Sequence, residues 1–376
     1  MNNHYFQTAK PLNQQLQQLM QRMHVHAPEI ARVSYAKYNR DTDTLVTYAD
    51  SEFQLWSELH HEKRLSKLDH LKRAAAMGIP RVIDDLAYMT HCERIGFLLN
   101  KGYRSSAAIP CFQNHRFSGF VFLNAYEPNV FSNQSLMTLV PYIEMLQFAV
   151  ESHSQVVKTI VEFADRLRTG SNLFSRDSYY HGRRMRAYTK VIAQYVAEQH
   201  KLDDEQVEAI AMFAQVHDIG KAQLPETLMY NSQPFGPQEL MSARSHIDNG
   251  IKLMDEIVSS VGNPNHPSIT LLNQIMRFQY EYLDGSGYPY GFQQEEVPLA
   301  ARIVAVANIF DSMTTHKTYR QACSVTSALL ELEKMVQQGK IDGHCVDALR
   351  SRQSYLKQVI HKYPEPEAWG SDSAEI

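Results

Sequence analysis

The chain has 376 residues, 44% of them hydrophobic, a length that favours two domains over one and a composition ample for buried cores. Its formal charge of -4 and pI near 6.5 disfavour a generic nucleic-acid binder, so no long nucleic acid is expected as partner. An anionic ligand would have to be met by a local basic site.

Cys92, Cys111, Cys323 and Cys345 show no CxxC spacing and read as ordinary thiols of a reducing compartment. Met1-Asn2-Asn3-His4 opens no charged and then apolar leader. No apolar run approaches the roughly eighteen residues of a membrane span. The expectation is a soluble cytoplasmic protein without membrane association.

Residues 12–27 form a Gln-rich amphipathic helical pattern, part of an N-terminal helical segment over 1–24. Ala31 to Tyr38 alternate with period two, Asn39 to Thr44 supply a turn, and Leu45 to Ala49 follow as a second strand, which makes a hairpin. A helical stretch spans 65–77, and Arg81 to Leu86 is a short extended piece. Ser105 to Phe112, a turn at Gln113-Asn114-His115-Arg116, and Phe117 to Ala125 give a second, strongly apolar hairpin.

Residues 25–133 resemble the GAF family. The residues that carry the resemblance are Ser105-Ser106-Ala107-Ala108-Ile109-Pro110, Gly119-Phe120-Val121-Phe122-Leu123-Asn124 and Glu127-Pro128-Asn129-Val130-Phe131. That family implies an α+β domain, a six-stranded antiparallel sheet with helices on its faces, and an unknown small molecule as its ligand. The alternative is a generic α+β domain used only for dimerisation.

A long connecting helix follows over 134–170. Leu139, Ile143, Leu146, Val150, Val157, Ile160, Ala164 and Leu167 recur at alternating spacings of four and three, with His153 in the one polar slot. Phe148, Val156 and Phe163 widen the stripe. Such a stripe either pairs with a copy of itself, giving a homodimer, or packs on its own domains.

From 171 to 363 the pattern is helical throughout, and 364–376 is an acidic, polar tail expected to be disordered. The most informative stretch is His217-Asp218-Ile219-Gly220-Lys221. Adjacent imidazole and carboxylate can bind metal from one backbone position, and the carboxylate has a second oxygen for another cation. The lysine supplies a point charge for phosphate. Any single histidine is more often a surface or satisfied core residue than a ligand.

The ordered set from His181 to about Leu349 resembles the HD-GYP family of metal-dependent phosphohydrolases. It comprises His181-Gly182-Arg183-Arg184-Met185, the His217 stretch, His246 with Gly250, Asp284-Gly285-Ser286-Gly287-Tyr288-Pro289 with Gly291, and Val297-Pro298 to Arg302-Ile303. Asp311-Ser312-Met313-Thr314 with Tyr319-Arg320, and Gly339-Lys340-Ile341-Asp342, complete it. The resemblance implies an all-α domain holding divalent transition metal, commonly iron or manganese, and hydrolysis of cyclic di-GMP. Carried onto this chain, it gives His181, His217, Asp218, His246, Asn308 and Asp177 as metal positions. His217, Asp218 and Lys221 become the catalytic group. Arg184, Lys221, Tyr288, Asp311, Lys317 and Arg320 become contacts to substrate.

The chain departs from the pattern in two places. Gln279-Tyr280-Glu281 stands where the family has His-His-Glu, and Asn308 stands where it has Asp. Two imidazoles and one negative charge are therefore absent, and fewer ions are expected than in typical members. Three readings follow. The first is a GAF-regulated cyclic di-GMP phosphodiesterase with an atypical, reduced site. The second is a catalytically silent module binding a cyclic dinucleotide or a partner protein. The third is an assembly domain for other signalling proteins.

Overall fold

In the computed structural model, residues 10–40, 42–52, 63–90, 93–170, 176–229, 236–316 and 321–364 are described. They fall into two units, Met1–Gln155 with Asp203–Glu205, and Val156–Leu202 with Gln206–Ile376.

The first unit is built on the two hairpins that the period-two segments specify. β1 (Ile30–Asn39) and β2 (Thr44–Asp50) make one, and β5 (Ser105–Gln113) and β6 (Arg116–Ala125) make the other. β3 (Lys63–Arg64) and β4 (Arg81–Ile83) add short edges, in the order β3-β2-β1-β6-β5-β4, every pair antiparallel. Alternation sends Val33, Tyr35, Ala107, Val121 and Leu123 to one face. There they pack with Leu12, Leu16, Leu19 and Met23 of α1 (Leu12–Met23). On the other face Ala108 and Phe120 cluster with Ala74 and Ala75 of α2 (Asp69–Met77). α3 (Glu93–Asn100) adds Ile95 and Leu98 to a small cluster with Leu86 and Tyr103. The six-stranded antiparallel sheet with helices on its faces is the expected fold; α3 and β3 were not foreseen.

The boundary between the units falls within α4 (Asn133–Gly170), a single helix of 38 residues. Its periodic stripe is consumed by the chain's own cores. Leu139, Ile143, Leu146 and Val150 belong to the core of the first unit. Val157, Ile160 and Ala164 belong to that of the second. These positions are at most 8% exposed, so the stripe does not present a surface for self-pairing. Leu167 differs from them and is exposed.

The second unit is helical, as its sequence requires. In chain order come α5 (Arg176–His200), α6 (Asp204–Ala214), α7 (Glu226–Met229), α8 (Pro237–Arg244), α9 (His246–Val261), α10 (Pro267–Phe278) and α11 (Leu299–Thr314). α12 (Val325–Gln337), α13 (Gly343–Ser351) and α14 (Gln353–Lys362) close the unit. Local chemistry sets these elements. Ile247, Ile251, Met254, Ile257 and Val258 give α9 one apolar face, all of it buried. Pro267 opens α10 at a position where no N–H is needed. Asp342 caps α13 by accepting from the His344 and Cys345 N–H groups. The only β pairing described in this unit is an isolated bridge between Asp284 and Gln293. Among the described residues no helix is long and apolar enough to cross a membrane. The 365–376 part of the acidic tail lies outside the described residues.

Leu146→Ala tests the assignment of the α4 stripe. Removing a buried leucine from this core is expected to destabilise the chain by about 2–5 kcal/mol. Urea unfolding followed by circular dichroism reads that loss; an unchanged midpoint would return the stripe to the surface.

Candidate metal centre

Four short stretches of the helical unit converge. His181 and Arg184 stand three residues apart on α5, and Asn308 and Asp311 three apart on α11, so each pair shares a helix face. His217 and Asp218 follow α6 and lead into a tight helical turn at Ile219–Gln223 that carries Lys221. His246 opens α9. Gly220 is what lets the turn lie against α9. A Cβ there would stand 1.9 Å from the His246 carbonyl oxygen and 2.4 Å from the Gly250 nitrogen.

Ligand atoms of His181, His217 and Asp218 lie within 4.8 Å of one another. The His181 Nε2 is 3.8 Å from Asp218 Oδ2. Each imidazole commits its Nδ1 elsewhere. His217 Nδ1 is 2.7 Å from the Ala214 carbonyl oxygen, and His246 Nδ1 is 2.6 Å from that of Ala243. A carbonyl only accepts, so both rings donate from Nδ1 and keep a lone pair on Nε2. His181 Nδ1 lies 2.7 Å from Asp311 Oδ2. The Nε2 atoms of His181, His217 and His246 and the Oδ1 of Asp218 are all buried, with no hydrogen-bond partner among the described residues.

Electrostatics keeps these groups in ligand-competent states. Burial pushes the His217 imidazole down to about 3. Burial, reinforced by the Lys221 ammonium, also lowers His246. Burial acts to raise the Asp218 carboxyl, but nearby positive charge, the Lys221 ammonium foremost, outweighs it and holds it well below the usual carboxylate range. Neutral imidazoles beside an ionised carboxylate are a donor set for a divalent transition metal. Among the described residues His181, His217 and Asp218 form the group whose ligand atoms lie together, while His246 stands outside that group with its Nε2 buried and unpartnered. The residues present therefore fit a metal.

Arg184 and Asp311, which the sequence placed in contact with substrate, are only 3% exposed and engage each other. Arg184 donates to Asp311 Oδ1 at 2.7 Å and to Oδ2 at 3.1 Å. Burial opposes ionisation of Asp311, but the bonds from His181 and Arg184 hold it down to about 2. The pair is placed to orient His181 and has no face open to a ligand. Lys221 lies 3.3 Å from Asp218 Oδ2, and its side chain is 36% exposed, so a ligand can reach it. The side chain of Asp177, and all of Lys317 and Arg320, lie outside the described residues.

Gln279 and Tyr280, where the resemblance implies imidazoles, each contact one of the centre's histidines. The buried Gln279 amide donates to the His217 carbonyl oxygen at 2.7 Å, which leaves its Oε1 buried and without a partner. Tyr280 sets its ring edge-on to His246, 5.2 Å between centroids.

Two residues that sequence reasoning passed over complete the site. Glu281 is buried, and its carboxylate accepts the Tyr290, Gly291 and Phe292 N–H groups at 2.7, 3.1 and 3.2 Å. It organises the loop that presents Tyr288. Gly287 brings that loop close, since a Cβ there would lie 2.2 Å from the Tyr282 nitrogen. Arg244 places its guanidinium over the Tyr288 ring, 4.3 Å from the centroid. The signal for Glu281 was its position after Gln279-Tyr280; Arg244 had none.

Residues 170–345 match the HD domain. This chain is 34% identical over 173 residues to the cyclic di-GMP phosphodiesterase response regulator RpfG of Xanthomonas campestris pv. campestris. That alignment covers 46% of this chain and 43% of that protein. It is 25% identical over 174 residues to 3'3'-cGAMP-specific phosphodiesterase 1 of Vibrio cholerae, covering 46% and 38%. The chain thus spans less than half the length of these curated relatives. Among solved structures, a GAF domain/HD domain protein from Geobacter sulfurreducens aligns over 39% of this chain and 95% of its own, at 14% identity and a TM-score of 0.32.

Gly220→Ala is expected to destabilise the chain by about 1–3 kcal/mol or more, because the added carbon meets backbone that cannot swing aside. Thermal unfolding measures it; an unaltered melting temperature would mean that the turn does not lie on α9.

Proposed function

We propose that the chain is a metal-dependent phosphodiesterase module for cyclic di-GMP or a related cyclic dinucleotide, with a centre that holds fewer ions than typical relatives. The observation that carries the reading is the group of His181, His217 and Asp218, whose ligand atoms lie within 4.8 Å of one another and whose two imidazole Nε2 atoms are buried without a hydrogen-bond partner. These residues would hold iron or manganese. Such a cation lowers the pKa of water and stabilises charge developing on a phosphoryl oxygen.

The chain's own groups do the rest. Asp311, fixed by Arg184, holds the His181 ring with its Nε2 facing the centre. The Ala214 and Ala243 carbonyls do the same for His217 and His246. Lys221, charged and reachable, binds non-bridging phosphate oxygens beside Asp218. Tyr288 lines the approach on a loop that Glu281 holds. The names of the relatives support the substrate class.

In this reading the first unit is a GAF-type sensor for a small molecule that controls the helical unit. Self-association uses the face of α4 opposite the buried stripe, where Met137, Met145 and Phe148 are exposed. The protein acts in the cytoplasm.

The second reading, a silent module that binds a cyclic dinucleotide or other signalling proteins, is favoured by one observation. The Tyr280 ring stands edge-on to His246 at a position where the family resemblance implies a ligand imidazole.

Elemental analysis of the purified chain is expected to find one tightly held transition-metal ion, lost in His217→Ala. Two or more ions per chain would contradict the reduced centre. Chelation is expected to abolish hydrolysis of cyclic di-GMP, and hydrolysis that survives a metal-free preparation would exclude the phosphodiesterase proposed here. Asp311→Asn is expected to weaken metal affinity about 10–100-fold, the usual consequence of loosening the partner of a ligand histidine. Competition with a chelating dye reads it, and unchanged affinity would remove Asp311 from that role.

A further inference from the structure

The relatives divide by substrate. Some are named for cyclic di-GMP and others for 3'3'-cGAMP. These ligands share the same diphosphate ring and differ in one purine. A metal centre and a lysine read phosphates alike in both, so the choice must be made at the edge of a base.

Arg244 is placed for that choice. It is the last residue of α8 and is exposed. Its guanidinium lies on the Tyr288 ring, Tyr288 stacks on Tyr280 with centroids 5.0 Å apart and planes 14° apart, and Tyr280 meets His246 edge-on. The column runs from a candidate metal ligand to an exposed cation. The residue before Arg244 is Ala243, whose carbonyl fixes the His246 ring. The position of Arg244 is thus tied to the centre through the backbone as well as through the rings.

A guanidinium drawn to an aromatic ring by its charge still has a planar fork of N–H donors to offer an acceptor. No carboxylate among the described residues pairs with it. Guanine offers two acceptors, O6 and N7, at the spacing of that fork. Adenine offers N7 beside an amino group, which sets donor against donor and leaves both unpaired. We propose that Arg244, braced on Tyr288, is the residue that selects guanine over adenine in the cyclic dinucleotide. This rests on the phosphodiesterase reading of the same centre.

The test is calorimetric titration of the metal-loaded full chain with hydrolysis-resistant phosphorothioate analogues of cyclic di-GMP, 3'3'-cGAMP and cyclic di-AMP. The native chain is expected to favour the di-guanine ligand. Arg244→Ala is expected to lower affinity for it by about tenfold or more and to leave the di-adenine ligand unchanged, since one bidentate arginine–guanine pair discriminates on that order. Arg244→Gln is expected to turn the preference toward adenine, whose N6 and N7 suit an amide. An equal fall for all three ligands would make Arg244 a phosphate contact and overturn the proposal. So would unchanged affinities in both variants. Failure of the native chain to bind any of the three would overturn the function proposed above.

Discussion

The hydrogen bond between His181 and Asp311 is the constraint on which the centre depends. It joins α5 to α11, which are 130 residues apart in sequence at the point of contact. It also turns the far nitrogen of the ring toward His217 and Asp218. Burying a carboxylate is costly unless its oxygens are satisfied. Here Arg184 satisfies both with a planar fork, and it donates to the Tyr363 carbonyl as well. The same ion pair that stabilises the helical unit therefore fixes the direction of a lone pair. Remove it, and His181 would be one more half-buried histidine.

The other imidazoles reach the same state by a cheaper route. Each bonds a main-chain carbonyl three residues back, so the tautomer is set locally and needs no charged partner. Beside them Gln279 donates to the His217 carbonyl oxygen, and Tyr280 sets its ring edge-on to His246.

The elements that sequence revealed are those with strong periodicity or fixed punctuation. The two hairpins were legible because their residues alternate in runs of five or more around turn residues. β3 has two residues, too few for any period to register. The α4 stripe was legible as a stripe, but periodicity does not say what covers it, and the chain's own cores do. In the centre, the His217-Asp218-Ile219-Gly220-Lys221 run and the spacing of His246 from Gly250 were visible as motif; the close approach of Gly220 to Gly250 was not. The role of Arg184 and Asp311 was not, because a motif gives residue types and not directions. Arg244 stands in no motif, and only the fold brings it to Tyr288.

The Glu281 carboxylate has a consequence for motion. A surface loop ordinarily exposes its amides, which then exchange with solvent freely. At 290–292 three successive N–H groups point inward at one buried anion. Opening that loop would uncover all three at once and strip the anion of its donors. The loop therefore opens only as a unit, and its amides exchange on the slow timescale of the α10 core rather than that of the surface around it.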